Sequence, residues 1–435
     1  MIILNEFDSK NVAIYGLQKT GLAVYESLSQ SGANLFLWDD DQTLREKLAS
    51  KGLKLTEPTN WVWNDLYALI PSPGVPLRYG KTPEAIKICI ENKIPIYGDI
   101  ELFHKAHGTE FPYGKVIAIT GTNGKSSTAT LLNEILINEG FETRLAGNIG
   151  KPILSINPGT YETVYIIEIS SFQLESIKKF RPDIAVLLNI SEDHTDRYPS
   201  HESYRKTKFE IFKNQKEKDI AILNSIDSYH DLINKINIPS RKIIIEDSEI
   251  KYNLKKNSFK VLISELYPVV KSITDEFGIK RNRVLLGFNS FKDLEHRHIK
   301  ILEKNNIKFV NDSKSTNPEA TNFALRNYEN IFLIVGGLSK ENNLSKINFR
   351  SKNIRKAFFI GSSSKILSEI VPKSLDYEIS ENIEKATQSA FKSAKKFGSG
   401  CVLLSPGCSS QDEFHDYIHR GEVFSKAVLS LVSKC

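Results

Sequence analysis

The run Lys115-Val116-Ile117-Ala118-Ile119-Thr120-Gly121-Thr122-Asn123-Gly124-Lys125-Ser126-Ser127 places two glycines, a lysine and two hydroxyl residues directly after an apolar, β-rich stretch. Glycines let a backbone approach an anion closely, and N–H groups at a helix start point at it. Lysine adds charge, and a hydroxyl such as that of Ser126 can ligate Mg²⁺. The chemistry this predicts is the binding of a nucleoside triphosphate. Ile119 stands where the full Walker pattern has its first glycine, so the loop is a shortened form. A plain glycine-rich turn capping a helix is the alternative, and the strand-to-helix context favours phosphate binding.

A second group of reactive residues lies further on. Val164-Tyr-Ile-Ile-Glu168 is an apolar run closed by a carboxylate, which is costly to bury unless it is paired or bound to a cation. Residues 189–198 gather Glu192, Asp193, His194 and Asp196. Parallel α/β sheets collect ligands at the carboxyl ends of their strands, so Glu168 and His194 are expected beside the phosphate loop. There they would be Mg²⁺ ligands or outer-shell partners. A surface acidic turn plus one structural glutamate is the alternative.

The elements that must position these groups follow from hydrophobic spacing. Leu131, Leu132, Ile135 and Leu136 predict a helix over residues 128–139. Upstream, residues 12–15 and 34–38 read as strands flanking a turn at 16–21 and a helix at 22–30. The acidic run at 39–41 sits where a ribose-binding carboxylate would fall. Gln18 occupies the second glycine position of the dinucleotide fingerprint, which disfavours NAD and leaves a nucleotide of another kind open. Residues 71–76 form a proline-rich rigid loop. Residues 184–190 predict another buried strand, and 248–295, rich in lysine and polar residues with weak periodicity, are the least readable part of the chain. Beyond it, strands at 307–310, 331–335, 357–360 and 401–404 alternate with helical segments, the last three closed by glycine. The fold class expected is α/β in three domains. Residues 1–98 form a Rossmann-like parallel sheet, 99–294 a central P-loop ATPase-like domain, and 295–435 a doubly wound domain.

Composition bounds the rest. A chain of 435 residues is too long for one core, and 58 basic against 52 acidic residues leave a mild +6 with no concentrated stripe for nucleic acid. Cys89, Cys401, Cys408 and Cys435 have neither metal-finger nor C-x-x-C spacing, which favours free thiols in a reduced setting. No window reaches bilayer-spanning length, so a cytoplasmic protein without membrane insertion is expected.

Taken together, these motifs resemble the Mur ligase family. The resemblance runs from about Gly16 to Gly421 and rests on Thr120-Gly-Thr-Asn-Gly-Lys-Ser126, Gly147-Asn-Ile-Gly150, Glu168-Ile-Ser-Ser-Phe-Gln-Leu-Glu175 and the 189–198 run. In the last third it rests on His296-Arg297, residues 311–314, Gly336-Gly337 with Lys340, residues 405–414 and Arg420-Gly421. A shortened phosphate loop is normal in that family. The 170–175 run, the Ser72-Pro-Gly74 loop and Gly98-Asp-Ile-Glu-Leu-Phe103 look like a D-glutamate-adding member.

The resemblance implies a monomer that uses ATP, two Mg²⁺ ions and an acyl phosphate to join D-glutamate to UDP-N-acetylmuramoyl-L-alanine in peptidoglycan precursor synthesis. Catalytic candidates are Lys125, His194 and Lys208, the last at a position where the family has a lysine carbamylated by CO₂. ATP would meet Gly121, Thr122, Asn123, Gly124, Lys125, Ser126, Ser127, Arg297 and Asp312. The UDP substrate would meet Thr20, Asp39, Ser72, Gly74 and Asn148. D-Glutamate would meet Lys314, Thr316, Lys340, Ser410 and Tyr417, and the metals Ser126, Glu168, His194 and carbamylated Lys208. The family's His-Asn-x-x-Asn motif, whose last asparagine reads adenine, has no counterpart around residues 260–270. Two alternatives stay open: another amide ligase of this architecture, such as a folylpolyglutamate synthetase, and a nucleotide-binding regulator without ligase activity.

Overall fold

In a computed structural model, the protein is described over residues 1–224, 232–233, 236–245, 258–292, 294–339 and 343–433. Its apolar runs assemble into three β-sheets. In the first, β1 (Asn11–Tyr15), β2 (Asn34–Trp38) and β3 (Leu66–Pro71) lie parallel in the order β2-β1-β3. Helices α1 (Lys19–Gln30), α2 (Gln42–Ala49), α3 (Glu84–Glu91) and α4 (Asp99–Ala106) accompany it. Ile96 adds a bridge to Leu69 of β3.

The second sheet contains β4 (Lys115–Thr120), β5 (Thr143–Gly147), β6 (Val164–Glu168), β7 (Ile184–Leu187), β8 (Ile220–Asn224) and β9 (Arg241–Ile245). All pairs are parallel, in the order β5-β6-β4-β7-β8-β9. Its helices are α5 (Lys125–Asn138), α6 (Ser171–Leu174), α7 (His201–Phe209), α8 (Ser258–Asp275) and α9 (Arg281–Ser290). Every residue of β6 and β7 is buried, as expected of parallel strands covered on both faces. The first two sheets belong to one compact unit and share a core in which Phe7, Leu102 and Phe103 join Tyr165, Ile167 and Phe180.

A second compact unit holds the third sheet: β10 (Ile299–Lys304), β11 (Ile307–Asn311), β12 (Ile331–Gly336), β13 (Ile354–Ile360), β14 (Tyr377–Ile379) and β15 (Gly400–Leu404). Their order is β10-β11-β15-β12-β13-β14. Helices α10 (Pro318–Asn327), α11 (Ser364–Ile370), α12 (Ile383–Phe397) and α13 (Tyr417–Ser433) belong to it. Among the described residues, no helix is long and apolar enough to cross a membrane.

Two features go beyond the expectations. The 248–295 stretch, the least readable part of the sequence, contains α8 and α9. Leu266, Val269, Val270 and Ile273 form the buried stripe of α8, and Pro268 in its middle obscures a spacing that is otherwise helical. The third sheet is not wholly parallel, because β10 pairs antiparallel with β11. Asn305 and Asn306 both adopt left-handed φ, 53° and 60°, as a two-residue hairpin turn requires.

Candidate active site

The phosphate loop leaves β4 at its carboxyl end, with Gly121 at φ 155° and Gly124 at φ 85°. A Cβ on Gly121 would lie 3.0 Å from the Leu188 side chain, so the first of the loop's two glycines is set by packing as well as by backbone angle. Residues following β7 hold the loop in shape. The Asn189 side chain accepts from the Asn123 N–H at 2.8 Å and donates to the Asn123 carbonyl at 3.0 Å. The Thr122 hydroxyl accepts from the Ser191 N–H at 3.1 Å. The strand therefore ends at Leu187, short of the expected residue 190, because Asn189 and its neighbours are spent bracing the loop.

Two lysines converge there. Lys125, the first residue of α5, donates to the Gly121 carbonyl at 2.8 Å and to the Thr122 carbonyl at 2.8 Å. Lys208, 1% exposed near the end of α7, donates to the same Gly121 carbonyl at 2.9 Å, with its ammonium 4.7 Å from the Tyr204 ring centroid. Two ammonium groups on one carbonyl oxygen form a concentrated positive site, suited to a polyanion.

Glu168 ends β6 directly beside Ile119 of β4. One oxygen accepts from Asn148 Nδ2 at 2.8 Å, while Oε2 is buried with no hydrogen-bond partner. Gly147 lies so close that a Cβ there would sit 2.3 Å from the Glu168 carbonyl oxygen. A buried carboxylate oxygen left open beside a phosphate loop fits a cation ligand. Ser126 is also buried. Among the described residues there is no cluster of three or more His, Cys, Asp or Glu side chains able to hold a metal by themselves, so any metal here needs hydroxyl, phosphate or modified-lysine oxygens. His194 groups with the second compact unit, has a left-handed φ of 56°, and lies three residues after Ser191.

The first sheet presents Thr20, Asp39, Ser72 and Gly74 at its carboxyl edge. Asp39 accepts from the Leu17 N–H at 2.6 Å and from the Asp41 N–H at 2.9 Å, so it orders both turns that flank it. The Ser72 hydroxyl donates to the Gly16 carbonyl at 2.7 Å. In the second unit, the Asp312 carboxylate accepts from the Ser315 and Ser405 hydroxyls at 2.5 and 2.8 Å, which ties the ends of β11 and β15 together. Lys314 lies with its ammonium 3.7 Å from the Tyr417 ring centroid; Thr316 is half-buried, Ser410 is buried, and Arg297 is half-buried. Lys340 lies outside the described residues, as do residues 246–257. The 260–270 stretch falls in α8, where Leu266 reaches within 3.4 Å of where a Gly124 Cβ would sit.

Two arginines that sequence reasoning left without a role organise these loops. Arg197 forms a buried ion pair with Glu175 at 2.9 Å and donates to the Gly74 and Val75 carbonyls at 2.9 and 3.1 Å. Arg420 has no exposed surface, and burial lowers its pKa to about 10. Its donors go to Ser313 and to the Cys408 and Ser409 carbonyls. The signals available were Arg-Tyr at 197–198 and Arg-Gly at 420–421 within otherwise recognisable motifs. The 170–175 run is likewise a clamp: Ser170 and Gln173 form a capping box on α6, and Gln173 Nε2 donates to Asp99 at 2.9 Å.

A shortened phosphate loop on a buried parallel sheet, with a lysine pair and an open carboxylate at its mouth, defines a nucleotide-binding α/β protein. Comparison with known proteins carries this further. Residues 119–273 match the Mur ligase middle domain family. UDP-N-acetylmuramoylalanine--D-glutamate ligase of Caulobacter vibrioides is 32% identical over 463 residues, covering 100% of this chain and 98% of the relative. The protein of the same name from Rickettsia prowazekii is 34% identical, covering 97% and 98%. The chain belongs to the Mur ligase family. In fold it is similar to a MurF ligase from Thermotoga maritima solved with ADP, at TM-score 0.61 and 16% identity over 99% of this chain and 97% of that one. UDP-N-acetylmuramate-alanine ligase of the same organism gives TM-score 0.58 and 18% identity over 97% and 99%.

Proposed function

We propose that this protein is an ATP-dependent acid–amino-acid ligase that adds D-glutamate to UDP-N-acetylmuramoyl-L-alanine, forming ADP and phosphate, in cytoplasmic peptidoglycan precursor synthesis. The observation that carries this reading is the convergence of Lys125 and Lys208 on the Gly121 carbonyl, one strand away from the open oxygen of Glu168. The relatives' shared name over nearly the full chain supports the choice of amino acid.

A carboxylate is a poor electrophile. Its oxygen first bonds to the γ-phosphorus of ATP while the bond to ADP breaks. The D-glutamate amine then bonds to the acyl carbon, loses a proton, and displaces phosphate. The loop N–H groups from Gly121 to Ser127 and the Lys125 ammonium bind the β- and γ-phosphates and orient the transferring group. Ser126, Glu168, His194 and carbamylated Lys208 would hold Mg²⁺ in two sites. When bound, Mg²⁺ neutralises charge on the phosphoryl oxygens. Carbamylation suits Lys208 because it turns a buried ammonium beside another ammonium into an anion attracted to it.

Thr20, Asp39, Ser72, Gly74 and Asn148 receive the UDP substrate. Arg297 and Asp312 serve ATP, while Lys314, Thr316, Lys340, Ser410 and Tyr417 receive D-glutamate, whose two carboxylates suit paired lysines. This assigns residues 1–98 to the UDP substrate, 99–294 to ATP and 295–435 to the amino acid, in a chain acting as a monomer. The test is phosphate release from ATP with UDP-N-acetylmuramoyl-L-alanine, compared across D-glutamate, L-alanine, L-lysine and diaminopimelate, with a folate arm. Release with D-glutamate alone is expected. Release with any other acceptor but not D-glutamate would overturn the assignment.

A further inference from the structure

Past the 72–74 loop, the first unit contains a cavity of about 720 Å³ that none of the proposed substrate, nucleotide or metal residues lines. Its volume lies in the range of roughly 300–1,000 Å³ typical of small-molecule sites. Ile86 and Cys89 of α3, with Ile94, Ile96 and Ile177, supply an apolar floor, and Ile90 at the mouth is 59% exposed. The rim is cationic: Arg78, Lys93, Lys105, Lys178 and Lys179. Tyr97 carries two of these charges on its ring, with the Lys105 ammonium at 4.9 Å and that of Lys178 at 5.0 Å from the centroid.

The carboxylates on the wall are already engaged. Glu101 accepts from the N–H groups of Lys178, Lys179 and Phe180 at 2.9, 2.8 and 3.1 Å, and Glu175 is paired with Arg197. Lys105 pairs with Glu6 at 2.9 Å, whereas Lys178 forms no ion pair among the described residues. An apolar floor under a rim where cations outnumber the carboxylates, and where Lys178 has no ion pair among the described residues, is complementary to a ligand that is greasy at one end and anionic at the other.

We propose that this cavity is a second ligand site, for an amphipathic anion whose apolar ring or short chain lies on the isoleucine floor and whose acidic group is held by Lys178 and Lys105 across Tyr97. The acidic group is a phosphate, sulfonate or carboxylate.

The test uses the full chain and the fluorescent probe 8-anilinonaphthalene-1-sulfonate. The expected result is one saturable site, unaffected by excess ATP. Combining Ile90→Asp with Lys178→Glu, both at exposed positions, weakens binding about tenfold or more while circular dichroism stays unchanged. Lys178→Glu alone, which leaves the floor intact, gives a smaller loss in the same direction. Displacement of the probe by octyl phosphate alone assigns a phosphate ligand, by octanoate alone a carboxylate, and by both the shared class. Undiminished binding in the variants, several weak sites, displacement by ATP, or displacement by neither competitor overturns the proposal. None of these readouts depends on ligase activity, so failure here leaves the reading of the phosphate loop as it stands.

Discussion

Arg420 is the residue whose removal should be felt furthest from itself. Its planar guanidinium spans Ser313 and the Cys408 and Ser409 carbonyls, so it fixes both the loop carrying Lys314 and the loop carrying Ser410. A lysine is a point donor that cannot reach both loops. Arg420→Lys should therefore leave buried carbonyls unpaired, costing about 3 kcal/mol of stability. KM for D-glutamate should rise while KM for ATP changes little, and equal shifts in both would remove the positioning role. Glu168→Gln is the sharper probe of the metal reading. Glutamine can still accept from Asn148 Nδ2 but carries no charge, so kcat should fall on the order of a hundredfold with the fold intact. Lys208→Ala should abolish phosphate release, and a small added carboxylate should restore part of it if the lysine acts as its carbamate. Absence of rescue, with nucleotide binding retained, would argue for an ammonium role instead.

Among the elements, the loop at 72–74 shows how much the sequence could disclose. Its turn residues were readable, as were β4, the phosphate loop and α5, because each announces itself within a dozen residues. Thr120 to Ser127 needed only local spacing. Arg197 was not readable in this way. Its partners Gly74 and Glu175 lie 123 and 22 residues away along the chain, and no local pattern joins them. The same holds for Glu101, which caps three N–H groups some 77 residues downstream. The Asn305-Asn306 hairpin and the α8 stripe were legible in principle, since left-handed asparagines and an i, i+3, i+4 repeat are local signals. They were lost to lysine-rich surroundings and to Pro268. Arg197→Met should raise KM for the UDP substrate about tenfold with a smaller effect on kcat. It should also destabilise by roughly 3 kcal/mol, because Glu175 is left buried and unpaired. Adding Glu175→Gln should recover stability without recovering KM. If both recover together, the ion pair alone matters and the carbonyl contacts do not.

For the molecule as a whole, pH is the variable that separates two opposing buried groups, one at each end of α4. His107 follows the helix, accepts the Gly114 N–H at Nε2 at 3.0 Å, and stacks on Tyr113 at 4.3 Å. Burial pushes it down to about 4. Asp99 opens the helix, and burial pushes it up to about 6. Unfolding releases both groups to ordinary values, so the signs differ. As pH falls from 6.5 to 4, the unfolded chain protonates its histidine before the folded one does, and stability drops by about 3 kcal/mol. Over pH 6 to 4 the folded chain protonates Asp99 before the unfolded one does, and stability rises by about 3 kcal/mol. In the native protein the two contributions largely cancel. His107→Gln removes only the loss, so its stability relative to wild type should climb on acidification across that window. Asp99→Asn removes only the gain, and its relative stability should fall. Urea unfolding midpoints at half-unit pH steps measure both. Parallel curves for wild type and either variant would mean that the substituted group is not buried as the fold places it.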